Sequence, residues 1–392
     1  MLYVQYTDPA AYPPLEHSAR LLADADCSVR FVGIDLIQGA MSFAPHPRIS
    51  VALMATRAPG WRQKMQFLHF AWWAMRDARG WHPTWIYASD ALSTPAALVV
   101  RALTGAQLIY HEHDAPPDAA RSIFMRVVRA CRRRATGLAS VVVVPSPQRA
   151  RRLDAASANP RVTIARNTPL RSDVRERHTA SDDTTQMRAL YHGSIVPARL
   201  PLSVIDALTE LPAGVTLTVA GYDPTGGGHL AALRARAGQC GVAGRVHFVG
   251  TVPTRRELLD LTASCDVGLA LMPSVTSDAN EQTMVGASNK PFDYLACGLA
   301  LLVADRPEWR DAYVTPGYGR TCVPESASSI ASALRWFLAH PAERWRMGEA
   351  GRERVLAEWH YEREFAPIAR RIVGHEWPVT EPAVVVKAAL RA

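Results

Sequence analysis

The sequence lacks several patterns that would assign a protein quickly to a class. Its six cysteines lie far apart, with no CxxC and no Cys/His pairing at the spacing of a zinc site. No stretch reaches the roughly 18–20 apolar residues of a membrane-spanning helix, and no charged-then-apolar leader precedes the first predicted strand. A Walker loop is absent, and no GxGxxG follows the first strand. These absences predict a cytoplasmic protein with reduced cysteines.

Lysine is also scarce, at three of the 44 basic residues, so arginine carries the net charge of +8. Five arginines fall within RVVRACRRR at 126–134, and Trp72 and Trp73 are adjacent in a predicted helix at 62–79. A basic, aromatic face can attract anionic lipid, nucleic acid or an anionic substrate. Nucleic acid is disfavoured, because no aromatic residues alternate with the arginines at single-strand spacing. An ordinary solvated helix face is the alternative.

The chain is too long for one ordinary core. Its 392 residues, with 48% hydrophobic and 20% charged, indicate a globular protein, and domains of roughly 150–200 residues would make two. Strands alternate with helices through 1–170 and again through 187–358, which predicts a parallel α/β sheet in each half. The polar, aperiodic residues 171–186 are the predicted linker. Within 359–392, a final helix at about 361–374 is expected to return to the first domain, before a loosely ordered tail after Pro378.

Several loops of the second half combine glycine with nearby charge at the ends of predicted strands. YHGS at 191–194 and AGY at 220–222 each end a strand in a turn, and Arg199 follows the first turn closely. Backbone amides at such turns bind anions, and arginine binds phosphate oxygens. The carboxyl edge of a parallel sheet is also where its ligands bind. This half therefore predicts a diphosphate site that includes Gly193 and Gly221, although neither turn is specific alone.

The stretch GASNKPFDYLACGLALLVAD at 286–305 places an acid immediately before a buried strand. A short helix over 293–297 is predicted to stop at Gly298, and 299–304 has the continuous apolar character of a strand covered on both faces. Asp293 is therefore expected at the rim of the sheet.

Four segments together resemble the C-terminal domain of a known family in order and spacing. They are YHGSIVPARLP at 191–201, the run 217–252, ASCDVGLALMPS at 263–274 and the stretch 286–305. The chain resembles the family-4 retaining glycosyltransferases, within glycosyl transferases group 1, over essentially its whole length. The resemblance implies an α/β protein of GT-B architecture, with two Rossmann-like doubly wound domains facing across a cleft.

The resemblance also implies roles for individual residues. Asp293 matches the second acid of the family's paired-acid motif, which hydrogen-bonds the nucleotide ribose. Arg199 matches a lysine that neutralises the diphosphate, and Val249 lies in the strand end that holds the base. The positions whose backbone is implied to approach the diphosphate or the donor sugar are Gly193, Gly286, Ala287 and Ser288.

Two positions depart from the family's pattern. Its first acid would fall at Val285, which cannot bind sugar hydroxyls, and Glu281 is the nearby candidate to replace it. Ser194 stands where the family usually has an arginine, and Lys290 on the opposing loop is the candidate to restore that charge. Arg199 and Lys290 are therefore predicted as catalytic residues that stabilise the departing diphosphate, with Ser194 beside them.

In the first half, YHEHD at 110–114 resembles the family's strand that ends in a histidine near the transferred sugar. The register favours His113 as the catalytic candidate, with His111 as a second substrate-binding candidate. A different segment, 8–17, replaces the family's glycine-rich first loop, so Tyr12 and His17 become acceptor-side candidates. For each of these residues, a purely structural role within the fold is the alternative.

The activity that the resemblance implies is transfer of a sugar, with retention, from a nucleotide-diphosphate sugar to a saccharide or lipid-linked acceptor. Bacterial surface polysaccharide or glycoconjugate synthesis is the expected setting. No cofactor and no metal are expected, since helix dipoles, arginine and lysine stabilise the leaving diphosphate. A GT-B sugar-nucleotide epimerase and a glycosyltransferase for a small natural product are the alternatives. The location is cytoplasmic, with a peripheral position on an anionic inner membrane surface left open.

Overall fold

The computed structural model describes residues 1–36, 41–57, 61–116, 122–156, 162–176, 183–224, 226–374 and 377. The predicted loose tail after Pro378 and the middle of the predicted linker, 177–182, lie outside the described residues.

The first half of the chain forms a seven-stranded sheet in the order β3-β2-β1-β4-β5-β6-β7, with every neighbouring pair parallel. Its strands are β1 (Leu2–Gln5), β2 (Val29–Asp35), β3 (Ile49–Ala55), β4 (Trp85–Ser89), β5 (Gln107–His111), β6 (Val141–Val144) and β7 (Val162–Ile164). The helices are α1 (Pro13–Asp24), α2 (Trp61–Trp81), α3 (Thr94–Thr104), α4 (Ile123–Leu138) and α5 (Pro147–Ala156).

The second half forms a six-stranded parallel sheet in the order β10-β9-β8-β11-β12-β13. Its strands are β8 (Met187–Ser194), β9 (Val215–Tyr222), β10 (Val246–Gly250), β11 (Val267–Ala270), β12 (Ala300–Ala304) and β13 (Gly319–Cys322). The helices are α6 (Ser203–Thr209), α7 (Gly228–Gln239), α8 (Arg255–Ala263), α9 (Asn289–Ala296), α10 (Pro307–Trp309), α11 (Ala327–Ala339), α12 (Pro341–Ala357) and α13 (Tyr361–Val373).

Both faces of each sheet are covered, which explains why strands such as β6 and β12 are apolar at every position. On one face of the first sheet, α2 and α3 bury Phe70, Ala74 and Val100. The other face carries α1 together with α13, whose Tyr361 and Phe365 lie in the same core as residues of α1 and β2. The predicted α/β architecture of two Rossmann-like domains facing across a cleft is confirmed.

Several elements differ from their predicted bounds. The helix predicted at 293–297 begins at Asn289, with Pro291 in its first turn, and Gly298 follows it in the left-handed conformation at φ +73°. The strand predicted to reach Asp114 ends at His111. The amide of Glu112 still donates to Val143 of β6, but the amides of His113 and Asp114 leave the sheet for the carboxylate of Asp90. Helix α5 and strand β13 were not predicted, since both segments are short and interrupted by polar residues.

The predicted linker is anchored at its start. Residues Arg171–Asp173 form one 3-10 turn, in which the backbone amide of Arg171 donates to Glu362 of α13. The carboxylate of Asp173 accepts from Arg255 at 2.7 Å. A backbone hydrogen bond and an ion pair, both to partly buried side chains, hold this polar segment, and hydrophobic periodicity does not reveal such contacts. Among the described residues, none of the helices has the length and apolar character needed to cross a membrane.

Candidate functional site

A cavity of about 230 Å³ lies between the two domains, where the carboxyl ends of both sheets face each other. Ten residues singled out in the sequence line it. From the first domain these are Tyr12 and His113, and from the second Gly193, Ser194, Arg199, Gly221, Ala287, Ser288, Lys290 and Asp293. Ligands of parallel sheets bind at this edge. His113 and Asp293, which are 180 positions apart in sequence, both line the cavity.

Two glycines allow the backbone of the second domain to form one side of the cavity. Gly193 and Gly221 are paired in register on β8 and β9, with φ of +105° and +140°. A β-carbon on Gly221 would collide with the carbonyl oxygen of Gly193, and one on Gly193 would come within 3.1 Å of the Lys290 ammonium. Both positions therefore require glycine, for close approach as well as for conformation.

Two cations lie next to these turns. The Arg199 guanidinium donates to Ser194 Oγ at 2.9 Å, and its Nε is buried without a partner among the described residues. The Lys290 ammonium is 5.2 Å from the centre of the Tyr191 ring. Burial, and then the positive charge of Arg199, lower the pKa of Lys290 to about 7 despite the opposing effect of Asp293. An anion entering the cavity would favour the charged form of this lysine.

The loop before α9 differs in detail from what the resemblance implies. The amides of Ala287 and Ser288, expected to approach the donor, both donate to the carbonyl of Met284, at 3.0 and 2.9 Å. Gly286 packs against the first domain, where its carbonyl accepts from the amide of Asn167 at 2.8 Å. In the first turn of α9, the amides of Asn289 and Lys290 have no acceptor within the helix, so they are the donors left for an anion at this edge of the cavity.

Asp293 is held by a partner that the sequence did not indicate. Its carboxylate accepts from Arg255 Nη2 at 2.7 Å and lies 3.6 Å from His192 Nε2. The same guanidinium bonds to Asp173, and Asp173 in turn lies 3.3 Å from His17. Arg255 and His17 lower the pKa of Asp173 strongly, against the effect of burial. A largely buried network of ionisable side chains thus links α1, the linker and the cavity-lining residue Asp293.

His113 lies on the first-domain side of the cavity. Both its ring nitrogens are buried without a hydrogen-bond partner in the described part of the chain, and its ring is 5.4 Å from that of Tyr12. Burial, and secondarily the charge of Arg149, lower the pKa of His113 to about 3, so the imidazole is neutral. A neutral imidazole can donate to one hydroxyl and accept from another.

The backbone around His113 is fixed by Asp90. This residue has φ +63° and ψ +165°, a region that side chains other than glycine rarely adopt. One oxygen of its carboxylate accepts from the amides of His113 and Asp114, at 2.8 and 3.1 Å. Strain at Asp90 is therefore offset by two hydrogen bonds that position His113.

Five residues predicted for the site lie outside the cavity. His111 is fully buried and bonds through Nδ1 to the Tyr87 hydroxyl at 2.6 Å. The carboxylate of Glu281 accepts from the Thr276 hydroxyl at 2.6 Å. The positions that do not line the cavity are His17, His111, Val249, Glu281 and Gly286. The nearby strand end contributes Thr251 and Val252 rather than Val249.

The lining and supporting residues that the sequence did not single out include Asp90, Tyr222 and Arg255. Tyr222 directly follows a predicted glycine, and that adjacency was the available signal. Arg255 lies one residue after the N-cap Thr254, and nothing local shows that it reaches two carboxylates. Within the described residues there is no group of three His, Cys, Asp or Glu side chains that could hold a metal ion. The expectation of a metal-independent reaction remains a prediction.

The comparisons with known proteins agree with this geometry. Residues 203–370 match the model of the glycosyl transferase-like family. Sucrose-phosphate synthase from Thermosynechococcus elongatus has a TM-score of 0.68 and 17% identity, over 95% of this chain and 99% of that one. No curated protein sequence matches the chain.

Two further solved structures are similar over nearly their full lengths. HepE from Anabaena, in complex with UDP and glucose, has a TM-score of 0.70 and 16% identity, over 95% of this chain and 99% of that one. WaaG, a glycosyltransferase involved in lipopolysaccharide biosynthesis, has a TM-score of 0.66 and 15% identity, over 96% and 100%. The protein has the GT-B fold. The predicted resemblance is confirmed by this fold and, over residues 203–370, by the match to the glycosyl transferase-like family.

Proposed function

We propose that the protein is a retaining glycosyltransferase that transfers a sugar from a nucleotide-diphosphate sugar to a saccharide or lipid-linked acceptor. The observation that carries the proposal is the convergence of Arg199, Lys290 and the start of α9 around Gly193, opposite His113 in the other domain. One side of the cavity thus concentrates positive charge, and the other offers an uncharged hydrogen-bonding ring.

The positive side suits the diphosphate. Arg199 and Lys290 approach the same glycine turn, and neither is neutralised by a directly bonded carboxylate in the described residues. A diphosphate leaving group gains negative charge as its bond to the sugar breaks, so fixed cations stabilise the transition state more than the bound donor. The low pKa of Lys290 implies that diphosphate binding would promote protonation of this lysine.

Asp293 is the proposed ribose ligand, in a modified form. Arg255 holds Oδ1 at 2.7 Å, whereas its contact with Oδ2 is longer, at 3.4 Å. The second oxygen therefore retains capacity to accept from a hydroxyl. The aspartate is one methylene shorter than the family's glutamate, and Arg255 fixes the direction in which it points.

The chemical step is proposed to occur on one face of the sugar. The bond between the anomeric carbon and the phosphate oxygen breaks, the acceptor oxygen attacks from the same face, and the acceptor proton passes to the departing diphosphate. His113 is proposed to orient a hydroxyl of the transferred sugar. It does not act as an acid, since its pKa of about 3 keeps it neutral. The residues supply positioning and charge, and no protein nucleophile is invoked.

The test is a screen of nucleotide sugars by thermal shift, followed by product analysis with and without saccharide acceptors. A donor that binds the native state raises its unfolding temperature. UDP-glucose is the natural first probe, because HepE was solved in complex with it. New glycoside with the donor's anomeric configuration is the expected product. Conversion of the donor to another nucleotide sugar without acceptor would instead identify an epimerase, and an inverted product would refute retention.

The setting that we propose is synthesis of bacterial surface polysaccharide or another glycoconjugate, in the cytoplasm. The named involvement of WaaG in lipopolysaccharide biosynthesis supports this choice by similarity. Comparing transfer to water-soluble oligosaccharides with transfer to lipid-linked ones would test it. Exclusive transfer to a small non-carbohydrate acceptor would contradict it.

A further inference from the structure

Helix α2 exposes large apolar side chains along one side. Trp61, Met65, Leu68 and Trp72 follow one another at intervals of four, three and four residues, so they form a single stripe. Trp61 is 71% exposed, Leu68 63% and Trp72 50%. The opposite side of the same helix packs on the sheet through Phe70, with Ala74 and Ala78. The stripe is therefore additional to the core face, and its side chains remain largely exposed.

The neighbouring helices extend this apolar surface. On α4, Ile123 is 73% exposed, and Phe124 and Val127 are exposed as well. The Phe124 ring contacts that of Phe67 at 4.8 Å, which joins the beginnings of α4 and α2. The α2–α4 face is defined by these exposed residues of α2, α3 and α4: Trp61, Met65, Leu68, Trp72, Val99, Leu103, Ile123, Phe124 and Val127. Exposed apolar residues gathered in this way mark an interaction surface.

The three helices also carry charge almost entirely of one sign. Their sequences hold ten arginines and lysines but one acid, Asp77, and Arg30 pairs with that acid at 2.6 Å. Arg126, Arg133 and Arg134 are exposed on α4. A face that combines tryptophan, leucine and isoleucine with arginine is complementary to an anionic lipid bilayer.

One arginine of the 126–134 block is not part of this surface. Arg132 turns towards the sheet and binds Glu112 through Nε at 2.5 Å and Nη2 at 2.7 Å. Glu112 is buried and also accepts from the Tyr110 hydroxyl. Arg132 therefore has a structural role, and any test of surface charge must leave it in place.

The face lies near the opening of the cleft. In a parallel sheet, a helix that follows a strand begins at the strand's carboxyl edge, and here that edge borders the cavity. Trp61, Met65, Ile123 and Phe124 all lie in the first turns of α2 or α4. Lipid in contact with them would be close to the acceptor side of the cavity.

We propose that the α2–α4 face docks the protein on an anionic lipid bilayer. Trp61, Leu68 and Ile123 insert among the lipid headgroups, and Arg126, Arg133 and Arg134 contact their phosphates. This proposal does not depend on the proposed chemistry, because it concerns binding of the protein without donor or acceptor.

The test is co-sedimentation with phosphatidylcholine vesicles, with and without phosphatidylglycerol. Wild type should bind the anionic vesicles. R126S/R133S/R134S should weaken this binding about a hundredfold, at roughly fivefold for each arginine near the surface. W61S/L68S/I123S should weaken it at least about tenfold, and should also remove the binding that persists at high salt.

Matched controls lie in the second domain. R256S/R346S removes two exposed arginines, and L202S/V275S/V323S removes three exposed apolar residues. Both should bind vesicles like wild type, and all variants should keep the wild-type circular dichroism spectrum. Wild type that ignores anionic vesicles, or face variants that bind as well as the controls, would overturn the proposal. So would self-association of wild type, broken by W61S/L68S/I123S, which would make the face an interface between copies.

Discussion

The two sides of the cleft are built differently. The second-domain side is backbone and positive charge. Glycines 193 and 221 remove side chains, Arg199 supplies a cation, and Lys290 supplies a second one whose pKa burial lowers to about 7. The first-domain side is a neutral imidazole, His113, held by a strained aspartate. The second-domain side suits the charged part of a ligand, and the first-domain side suits a part that is rich in hydroxyl groups. The contrast predicts that substitutions on the two sides will have separable effects on binding and on turnover.

The contrast depends on a charge network that holds both sides together, and breaking it should have the largest effect on stability. Arg255→Met would leave Asp173 and Asp293 without their shared cation, and both carboxylates are largely buried. Removing one partner of a buried ion pair costs about 3–5 kcal/mol in free energy of unfolding. The thermal unfolding midpoint should fall by several degrees, as measured by calorimetry.

The adjacent residue provides the control. Arg256 is on the same helix turn but is 86% exposed, with its acid partner 3.9 Å away, so Arg256→Met should change the free energy of unfolding by less than about 0.5 kcal/mol. Equal unfolding midpoints for the two variants would show that the network does not contribute to the stability of the fold.

On the second-domain side, Arg199→Met should reduce kcat/KM by about 100- to 1,000-fold, the usual cost of removing one group that stabilises developing negative charge. Both donor affinity and kcat should fall, since the guanidinium would contact the diphosphate before and during bond cleavage. Arg188→Met changes an arginine at the start of β8, at the opposite end of the strand from the turn that Arg199 follows, and should leave the kinetics unaltered. Wild-type kinetics for Arg199→Met would place the diphosphate elsewhere.

On the first-domain side, His113→Ala should lower kcat about 10- to 100-fold, as expected for one hydrogen bond that strengthens in the transition state. Donor affinity, measured by calorimetry, should change much less. His111→Ala should instead lower the unfolding midpoint, because it deletes the buried bond to Tyr87. The reverse pattern, with His111→Ala as the kinetic variant, would show that the sugar contact belongs to His111 and not to His113.

The second-domain side was also the more predictable from sequence. Its glycines lie at strand ends and Arg199 follows β8 closely, so chain order places them at one edge of the sheet. On the first-domain side, Asp90 ends an ordinary strand, and no local pattern shows its left-handed conformation or its bonds to residues 23 and 24 positions later. Arg255 was missed for a similar reason, since its partners are 82 and 38 residues away.

Nearness in sequence was misleading for Glu281. It lies four residues before Val285, but the 3-10 turn Glu281–Thr283 directs its carboxylate to Thr276 rather than to the cavity. The fold was predictable because apolar periodicity repeats throughout both sheets. Side-chain direction in loops depends on single contacts between distant segments, which periodicity does not encode.

The smallest expected effect is a pH dependence of donor affinity, which the second-domain side should show through Lys290. On the first-domain side, burial raises the pKa of Asp90 to about 8, and the variant Lys290→Met separates the two groups. Lys290 has a pKa of about 7 in the free protein, chiefly because of burial, and the diphosphate should bind its charged form. The charged fraction falls as pH rises, so affinity for UDP-glucose should be about tenfold weaker near pH 8 than near pH 6. His192 and His113 do not contribute, because burial lowers their pKa to about 4 and about 3 and both stay neutral over this range. Calorimetry on wild type and Lys290→Met measures the effect: the variant should bind weakly and equally at both pH values. A wild-type affinity that is flat, or that rises with pH, would exclude Lys290 as the diphosphate's titrating partner and leave Arg199 as its cation.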